Sequence, residues 1–341
     1  MMTSASAPEG GSHTIAPSGI VVIIVNYCTA GLVVDCLRSL CAHRAEFSDM
    51  TVVVADNASP DGSGRKIDEA IAANGWGDWA RLRPMPRNGG FGYANNAVIN
   101  ESLHTANAPR YFWLLNSDTL VRPGALGALL AFMEEHPKVG IAGSRLEDPD
   151  GTAQHSAFRF PTIAAEFEAS IRLGLVTKLL DRWRVAPPIA SQNTQYDWLS
   201  GASLLIRTET LRQAGLFDET YFLYYEEVDL CMRAKRHGWS CWYVPASRVV
   251  HLVGMSTGVT ERTSRPRRRA PYWFQSRRYY FVKHYGRVYA SIADVALAAG
   301  SFLGLLRAGI QGRPSLHPER FLYDLACHSA TLKLPHGPAP R

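Results

Sequence analysis

The sequence lacks the cysteine patterns of disulfide-rich and zinc-binding proteins. Its 341 residues include six cysteines, which form no C-x-x-C pair and no cysteine–histidine spacing of a zinc module. Such patterns are the sequence signatures of a disulfide framework or a structural zinc site. We therefore predict free thiols in a reducing compartment. The apolar fraction of 46% excludes disorder as the main state.

Two common phosphate-binding loops are also missing. No G-x-x-x-x-G-K-[ST] segment occurs, and the run NGGFGYANN around Gly89 does not fit G-x-G-x-x-G. Both loops work by placing backbone N–H groups around phosphates. Their absence argues against a P-loop NTPase and against a dinucleotide-binding enzyme. Internal repeats at periods of about 20 to 50 residues, which would indicate a solenoid, are absent too.

No segment has the pattern of a signal peptide or of a membrane span. Residues 1–18 are rich in Ser, Ala, Gly and Pro and lack an apolar run, so we predict a disordered leader there. The apolar stretch 291–309 has a core too short to cross a bilayer and contains Asp294. We predict that it forms an interfacial or packing helix.

Apolar strands alternate with helical segments in the first half of the chain. Residues 19–27 (GIVVIIVNY), 51–57 (TVVVADN) and 111–115 (YFWLL) are continuous apolar runs, as expected for strands buried on both faces. Their alternation with helical segments predicts an α/β fold with a Rossmann-like, mostly parallel central sheet flanked by helices. Residues 153–190 show no regular pattern and carry no predicted element.

Polar side chains follow three of these strands. Asp56 and Asp118 end two of them, and Asn26 ends a third. Each aspartate could cap the next helix or turn. In open α/β sheets, however, ligands bind beyond the carboxyl ends of the strands. A carboxylate suits a phosphate ligand when a divalent cation bridges the two. Asp118 with Mg²⁺ or Mn²⁺ would then neutralise a departing diphosphate.

A second acidic cluster lies in YYEEVDLCMR. Glu226 and Asp229 would share one face of a helix, and Glu227 would point about 100° away. A solvated acidic helix end is one interpretation. The aromatic residues before the cluster favour a general base, because an apolar wall raises the pKa of a carboxyl group. His251 is interpreted as a packed core residue unless the fold returns it to Asp118.

Seven motifs, taken together, resemble a known family. They are VNY (25–27), ADNAS (55–59), RNGGFGYANN (87–96), LLNSD (114–118), WLSGASLLIR (198–207), FDETYFLYYEEVDLCMR (217–233) and HLVGMS (251–256). In this order they resemble the family 2 glycosyltransferases, and within them the rhamnosyltransferase-like enzymes of bacterial polysaccharide assembly. The resemblance implies a GT-A fold, a nucleotide-diphosphate sugar donor, Mg²⁺ or Mn²⁺, and inversion at the anomeric carbon by single displacement.

The resemblance also implies roles for residues at matching positions. The donor nucleotide would be bound by Val25, Asn26, Tyr27, Asp56, Arg87, Asn88, Gly89, Asn116 and Ser117. Residues 116–118 correspond to the D-x-D signature of the family. That correspondence places Asp118 on the metal, and His251 matches a histidine that approaches the same metal or the diphosphate.

For catalysis and acceptor binding the resemblance leaves alternatives. The family commonly has Glu-Asp where this chain has two glutamates, so Glu227 is the expected base and Glu226 the alternative. The acceptor would contact Trp198, Ser200 and Gly201, although Trp198 could instead be a core residue.

The segment 262–287 is strongly basic. It carries eight arginines and one lysine with no acidic residue, interleaved with aromatic residues. A nucleic-acid groove or a solvated basic face would have this composition. Given the family motifs, we expect an anionic membrane surface and a saccharide or polyprenyl-diphosphate-linked acceptor, and no nucleic acid. The chain would then be cytoplasmic, and peripheral on the inner face of the cell membrane.

These inferences predict three regions and one function. A GT-A catalytic domain would span 19–260, with a nucleotide-binding half at 19–150 and an acceptor half at 151–260, and a helical, membrane-proximal C-terminal extension would span 261–341. The chain would transfer L-rhamnose from dTDP-rhamnose during cell-surface polysaccharide synthesis. The alternatives are a galactofuranosyl or other hexosyl transferase, and a catalytically silent sugar-nucleotide-binding subunit. A sugar nucleotidyltransferase is disfavoured because NYCTAGL stands where its basic, glycine-rich loop should be.

Overall fold

The computed structural model describes residues 19–44, 49–105, 107–171, 173–252, 268–312 and 317–331. The predicted leader, residues 1–18, and part of the basic segment, residues 262–267, lie outside these ranges. The strands are β1 (Ile20–Asn26), β2 (Met50–Asp56), β3 (Ala80–Pro84), β4 (Tyr111–Asn116), β5 (Thr119–Val121), β6 (Val139–Glu147), β7 (Ala157–Phe158), β8 (Thr194–Tyr196), β9 (Trp198–Leu199), β10 (Ser203–Arg207) and β11 (Ser240–His251). The helices are α1 (Ala30–Cys41), α2 (Ser63–Ala73), α3 (Phe91–Leu103), α4 (Ala125–Glu135), α5 (Ile163–Ile171), α6 (Gly174–Leu179), α7 (Thr208–Ala214), α8 (Glu226–Arg236), α9 (Pro271–Ile310) and α10 (Phe321–Cys327).

The main sheet has the strand order β3-β2-β1-β4-β10-β6-β11-β5, with β8 also paired to β11. Strands β3, β2, β1 and β4 run parallel to one another, and β6 runs parallel to β11. Strand β10 lies antiparallel between β4 and β6. The predicted mostly parallel sheet is confirmed. Because the chain order reverses between β1 and β4, the ligand crevice of such a sheet is expected at their carboxyl ends.

Each central strand is buried on both faces. In β1, Val22 and Ile24 pack in the hydrophobic core formed with α1, α2 and α4, whereas Ile23 packs in the core formed with α3 and α8. Successive side chains of a strand point to opposite faces, so a strand covered on both sides is apolar at every position. This covering explains the continuous apolar runs in the sequence.

The segment 153–190 forms β7, α5 and α6, none of which the sequence pattern indicated. Helix α5 packs along α9, and Arg277 of α9 is buried between them. Its Nε lies 2.9 Å from Glu166 Oε2 and its Nη1 lies 2.5 Å from Asp294 Oδ1. A solvated basic face is therefore the wrong interpretation for Arg277, whose charge is neutralised inside the protein.

Helix α9 is longer than the predicted helix 291–309. It covers Pro271–Ile310, and its backbone leaves the helical conformation at Gly286 (φ 83°, ψ 168°). The positive φ suits glycine, which has no Cβ to clash there. The predicted domain boundaries at 150 and 260 stay predictions. All six cysteines are free, as predicted.

Candidate active site

The carboxyl ends of β1 and β2 meet in a hydrogen-bonded network. Asn26 Nδ2 donates to Asp56 Oδ1 at 2.6 Å, and the Ser59 hydroxyl donates to the same oxygen at 2.5 Å. The Thr29 hydroxyl donates to Asn26 Oδ1 at 2.8 Å. Helix α2 begins only at Ser63, with no side-chain cap, so Asp56 does not cap it. The network fixes the direction of the Asp56 carboxylate at the crevice.

Two members of this network, Thr29 and Ser59, carry no predicted role. Each lies three positions after a strand-end residue that it contacts, Asn26 and Asp56 respectively. A hydroxyl residue at that spacing is the sequence signal that could have identified them. Of the predicted neighbours, Tyr27 is 46% exposed at the same edge, and Val25 is half-buried against the core.

The glycine turn before α3 contacts both the end of β2 and the segment that precedes Glu226. Asn57 Nδ2 donates to Asn88 Oδ1 at 2.9 Å, and Asn57 Oδ1 accepts from the backbone N–H of Gly89 at 3.3 Å. The next residue, Gly90, has φ 90°, and a Cβ there would lie 1.9 Å from the carbonyl oxygen of Phe222. Only glycine permits this close approach. The turn therefore places the residues before α8 beside the crevice.

Arg87, also predicted at the nucleotide side, is exposed. Its guanidinium carbon lies 4.5 Å from the centre of the Tyr93 ring, a cation–π geometry. Tyr93 belongs to α3, so the arginine lies against the first turn of that helix.

Residues 116–118 form a tight turn between β4 and β5. The hydroxyl oxygens of Ser117 and Thr29 lie 3.1 Å apart, within hydrogen-bond distance, so the turn contacts the β1 side of the crevice. Asp118 is 1% exposed, and its carbonyl oxygen accepts from the backbone N–H of Leu252 at 2.9 Å. The backbone N–H of Asn116 donates to Ala202 at 3.1 Å.

The fold returns His251 to Asp118. His251 ends β11 opposite Thr119 of β5, and its Nε2 lies 3.5 Å from Asp118 Oδ1. Because the fold brings His251 back to Asp118, we no longer interpret it as only a packed core residue. The imidazole and the carboxylate lie at one edge of the sheet although 133 positions separate them in sequence.

Asp118 and His251 suit a hard divalent cation in part. Among the residues that the structure describes, no cluster of three or more His, Cys, Asp or Glu side chains could hold a metal by itself. Mg²⁺ is commonly bound through one or two carboxylates together with substrate phosphates. The two side chains therefore fit a metal whose coordination is completed by a diphosphate, and not an all-protein metal cage.

Glu226 and Glu227 are the first two residues of α8. The preceding Tyr224 and Tyr225 both have positive φ, 69° and 72°. Two consecutive non-glycine residues in this region indicate a strained backbone, which is characteristic of functional sites. One carboxyl oxygen of each glutamate is buried and has no hydrogen-bond partner among the described residues.

The surroundings of the two glutamates favour the protonated form. Burial raises the pKa of Glu227 to about 7. The backbone N–H groups of Glu227 and Val228 stabilise the ionised carboxylate and lower the pKa, but by less than burial raises it. Burial and the neighbouring Glu227 charge raise the pKa of Glu226 well above its ordinary value. Glu227 is thus the glutamate that can lose and regain a proton near neutral pH, as a general base must.

The third acid of the cluster, Asp229, has a different environment. Arg233, Lys283 and His284 place nitrogen atoms 2.6–2.7 Å from its carboxylate oxygens. Burial alone would raise the pKa of Asp229, but these cationic and hydrogen-bonding partners outweigh it and hold the pKa well below its usual range. The interpretation as a solvated acidic helix end is wrong, because Asp229 is buried and joins α8 to α9.

The predicted acceptor residues lie in and beside the turn before β10. The Trp198 ring is stacked on Phe158 at 4.2 Å, and its Nε1 donates to the carbonyl of Arg159 at 2.9 Å. One face of the indole is therefore covered by protein. The backbone N–H of Ser200 donates to Ser156 at 2.9 Å. A Cβ at Gly201 would lie 3.6 Å from the Phe91 ring, so this turn also contacts the start of α3.

Comparison with known proteins identifies the family of the chain. Residues 20–180 match Glycosyl transferase family 2, and residues 111–311 match Glycosyl transferase family group 2. The chain is 32% identical over 223 residues to N-acetylglucosaminyl-diphospho-decaprenol L-rhamnosyltransferase of Mycobacterium tuberculosis, covering 61% of this chain and 68% of that protein. It is 27% identical over 171 residues to rhamnosyltransferase WbbL of Escherichia coli, covering 48% of this chain and 61% of the other.

Two solved structures share the fold. GalNAc-T7 with UDP, GalNAc and Mn²⁺ aligns with a TM-score of 0.58 at 14% identity, over 92% of this chain and 59% of that one. The Pyrobaculum calidifontis mannosyltransferase PcManGT with GDP-Man and Mn²⁺ aligns with a TM-score of 0.51 at 15% identity, over 93% and 88%. The predicted GT-A fold is confirmed, and the chain belongs to the family 2 glycosyltransferases.

Proposed function

We propose that the chain is an inverting, metal-dependent glycosyltransferase that moves L-rhamnose from dTDP-rhamnose to a polyprenyl-diphosphate-linked saccharide. The relatives' names support the sugar and the acceptor class, since one is an L-rhamnosyltransferase acting on a decaprenol-diphosphate-linked sugar. The catalytic proposal depends on one observation: the carboxyl group of Glu227 has a pKa raised to about 7. Glu227 lies at the start of α8, and the glycine turn of the crevice contacts the segment just before it.

On the donor side, Asn26 and Asp56 would bind the base and ribose, with the network from Thr29 and Ser59 holding both side chains in place. Asn88 and Gly89 would line the nucleotide side. Asp118 and His251 would hold Mg²⁺ or Mn²⁺, which when bound would neutralise charge on the departing diphosphate.

On the acceptor side, Glu227 would take the proton of the acceptor hydroxyl. The hydroxyl oxygen forms a bond to the anomeric carbon while the bond from that carbon to the donor diphosphate breaks. The diphosphate leaves with the electron pair, and the configuration at the carbon inverts. No covalent enzyme intermediate is needed, because the acceptor attacks directly.

We also propose that the protein acts as a peripheral enzyme at the cytoplasmic face of a cell membrane, where a lipid-linked acceptor would be available. One helix among the described residues, α9, is long and apolar enough to cross a membrane by length and composition. Core helices of soluble proteins share that property.

Replacing Glu227 by Gln tests the catalytic proposal. The amide keeps the shape of the side chain but cannot take a proton, so the transfer rate should fall by about a hundredfold to ten-thousandfold. Donor binding should persist, measured as the rise in melting temperature with Mn²⁺ present. Glu135→Gln, a change to an exposed glutamate of α4, is the matched control and should leave both readouts unchanged.

The inactive Glu227→Gln variant also tests the donor, because it binds nucleotide sugars without consuming them. We expect dTDP-rhamnose to raise its melting temperature more than other nucleotide sugars do. A stronger shift with a galactofuranosyl or other hexosyl donor would replace rhamnose in the proposal. Unchanged transfer by the variant would remove Glu227 from its role, and donor binding without any transfer by the wild type would favour a silent subunit.

A further inference from the structure

The C-terminal half of α9 presents a continuous apolar stripe to solvent. Exposed side chains recur at steps of three, four or seven residues, which places them on one side of the helix. They are Val288, Ile292, Val295, Phe302, Leu306 and Ile310, named here the α9 apolar face. The two end residues are 76% and 79% exposed. An exposed apolar patch of this extent indicates an interaction site.

The opposite side of the same helix is fixed to the protein. Asp294 accepts from Arg277 at 2.5 Å and from the backbone N–H of Ala330 at 2.7 Å. A Cβ at Gly300 would lie 2.8 Å from the carbonyl oxygen of Phe167, so α9 and α5 touch closely. Helix α9 therefore cannot turn its apolar face inward. Nor can lipid surround it on all sides.

Helix α6 lies close to the C-terminal part of α9. It begins three residues after Ile171, whose carbonyl oxygen would lie 3.5 Å from a Cβ at Gly304 of α9. The α6 side chains Leu175 and Leu179 are 68% and 72% exposed. Exposed apolar side chains thus occur on α6 as well as on α9.

Basic side chains are exposed on and near both helices. Lys178, Arg182 and Arg287 are exposed, and so is the nearby acidic residue Asp181. Residues 288–310 contain two charged residues, Asp294, which is buried, and Arg307, which is half-buried. Protein–protein interfaces mix apolar and hydrogen-bonding groups over their area. An apolar stripe without hydrogen-bonding side chains, bordered by basic residues, is the pattern of a helix lying in a lipid interface.

We propose that the α9 apolar face and α6 dock the protein in the plane of an anionic lipid bilayer. The apolar side chains would enter the boundary between headgroups and acyl chains, and the basic residues would bind the anionic headgroups. The choice of a lipid partner rests on the proposed function, since a lipid-linked acceptor requires the enzyme to work at a membrane. Residues 272–285 of the same helix contact the residues around Glu226 and Glu227. Docking would therefore hold the active site at a set height above the lipid.

Vesicle co-sedimentation of the full chain tests this docking without any substrate. The wild type should bind phosphatidylcholine vesicles that contain phosphatidylglycerol, and more weakly at high salt or with phosphatidylcholine alone. The double change Phe302→Glu/Leu306→Glu should lower binding at least about tenfold, because two apolar groups no longer enter the lipid. Ala72→Glu/Ala73→Glu on exposed positions of α2 adds the same charge and should bind as the wild type does.

Two further measurements separate the outcomes. Leu306→Gln, which adds no charge, should also weaken binding, and each variant should keep the donor-induced melting shift as evidence that it is folded. Equal vesicle binding by Phe302→Glu/Leu306→Glu and the wild type would overturn the proposal. So would a lipid-free dimer that these changes dissociate, since the face would then bind a second copy. Because no step measures transfer, failure of docking is distinguishable from failure of the proposed function.

Discussion

At the residue scale, Glu227 and Asp229 lie two positions apart on α8, yet their surroundings move their pKa values in opposite directions. Burial without a cationic partner raises the pKa of Glu227, whereas Arg233, Lys283 and His284 overcome burial and lower that of Asp229. Spacing in the sequence gives Asp229 one of these partners, Arg233 four positions later, but the other two lie on α9, more than 50 positions away. The aromatic residues before α8 did indicate correctly that one acid would be buried among apolar groups.

The raised pKa of Glu227 predicts the pH dependence of transfer. Only the ionised form can accept the acceptor proton, so kcat should rise about tenfold per pH unit below about 7 and level off above it. The measurement is kcat against pH at saturating donor and acceptor. A rate already constant from pH 5 upward would show that Glu227 is not the titrating base.

The raised pKa of Glu227 also makes the folded state less stable as the pH rises. An ion-paired carboxyl group, whose pKa is lowered, has the opposite effect. A pKa raised from 4.5 to about 7 means that the folded state retains a proton that the unfolded state has lost. The stabilising contribution is complete below pH 4.5 and is lost as the pH rises through about 7. Glu227→Gln should therefore increase the free energy of unfolding above pH 7, by up to about 3 kcal/mol. The gain should vanish below about pH 4.5 in denaturant titrations.

At the scale of elements, the strand ends were the predictable part of the site. Continuous apolar runs that stop at Asn26, Asp56 and Asn116 locate the carboxyl edge of a parallel sheet, and the structure places these residues at the ends of β1, β2 and β4, with Asp118 two residues beyond β4. Helices α5 and α6 were not predictable from a pattern, since α5 packs against a helix more than 100 positions later. The antiparallel insertion of β10 is likewise set by long-range pairing and not by the local sequence.

Gly90 provides the test of how the glycine turn holds the segment before α8. Gly90→Ala should lower the free energy of unfolding by at least about 2 kcal/mol more than Gly62→Ala, because its Cβ would meet the Phe222 carbonyl oxygen at 1.9 Å. Gly62 is the matched control: its φ of 78° is also positive, but a Cβ there meets nothing within 4 Å. Transfer should fall with Gly90→Ala, since the strained residues before Glu226 must move. Equal effects of the two changes in urea unfolding would argue against this contact.

At the scale of the whole molecule, α9 connects the candidate site to the proposed docking surface. The Ser276 hydroxyl donates to the carbonyl of Leu223 at 3.0 Å, just before the two strained tyrosines. His284 Nε2 forms a hydrogen bond with Asp229 Oδ1. Beyond Gly286 the helix packs on α5 and exposes its apolar face. The sequence showed one basic, aromatic segment followed by one apolar segment. It could not show that Arg277, within the basic segment, binds two acids inside the protein.

Arg277 is therefore the residue that should link the stability of α5 and of both halves of α9. Arg277→Met leaves Glu166 and Asp294 without their buried cation, and we expect the free energy of unfolding at pH 8 to fall by about 3–5 kcal/mol. Arg278→Met, a change to the neighbouring half-buried arginine, should have a much smaller effect.

Protonation offers a second check on the same buried group. Burial raises the pKa of Glu166 even with Arg277 beside it, and removing the arginine raises it further. The loss caused by Arg277→Met should therefore shrink as the pH falls, because a protonated Glu166 needs no cation. The triple change Arg277→Met/Glu166→Gln/Asp294→Asn should recover much of the loss at pH 8, since no unpaired charge stays buried. A triple variant as unstable as Arg277→Met alone would mean that the arginine stabilises α9 through its contact with the Phe281 ring and not through its two acidic partners.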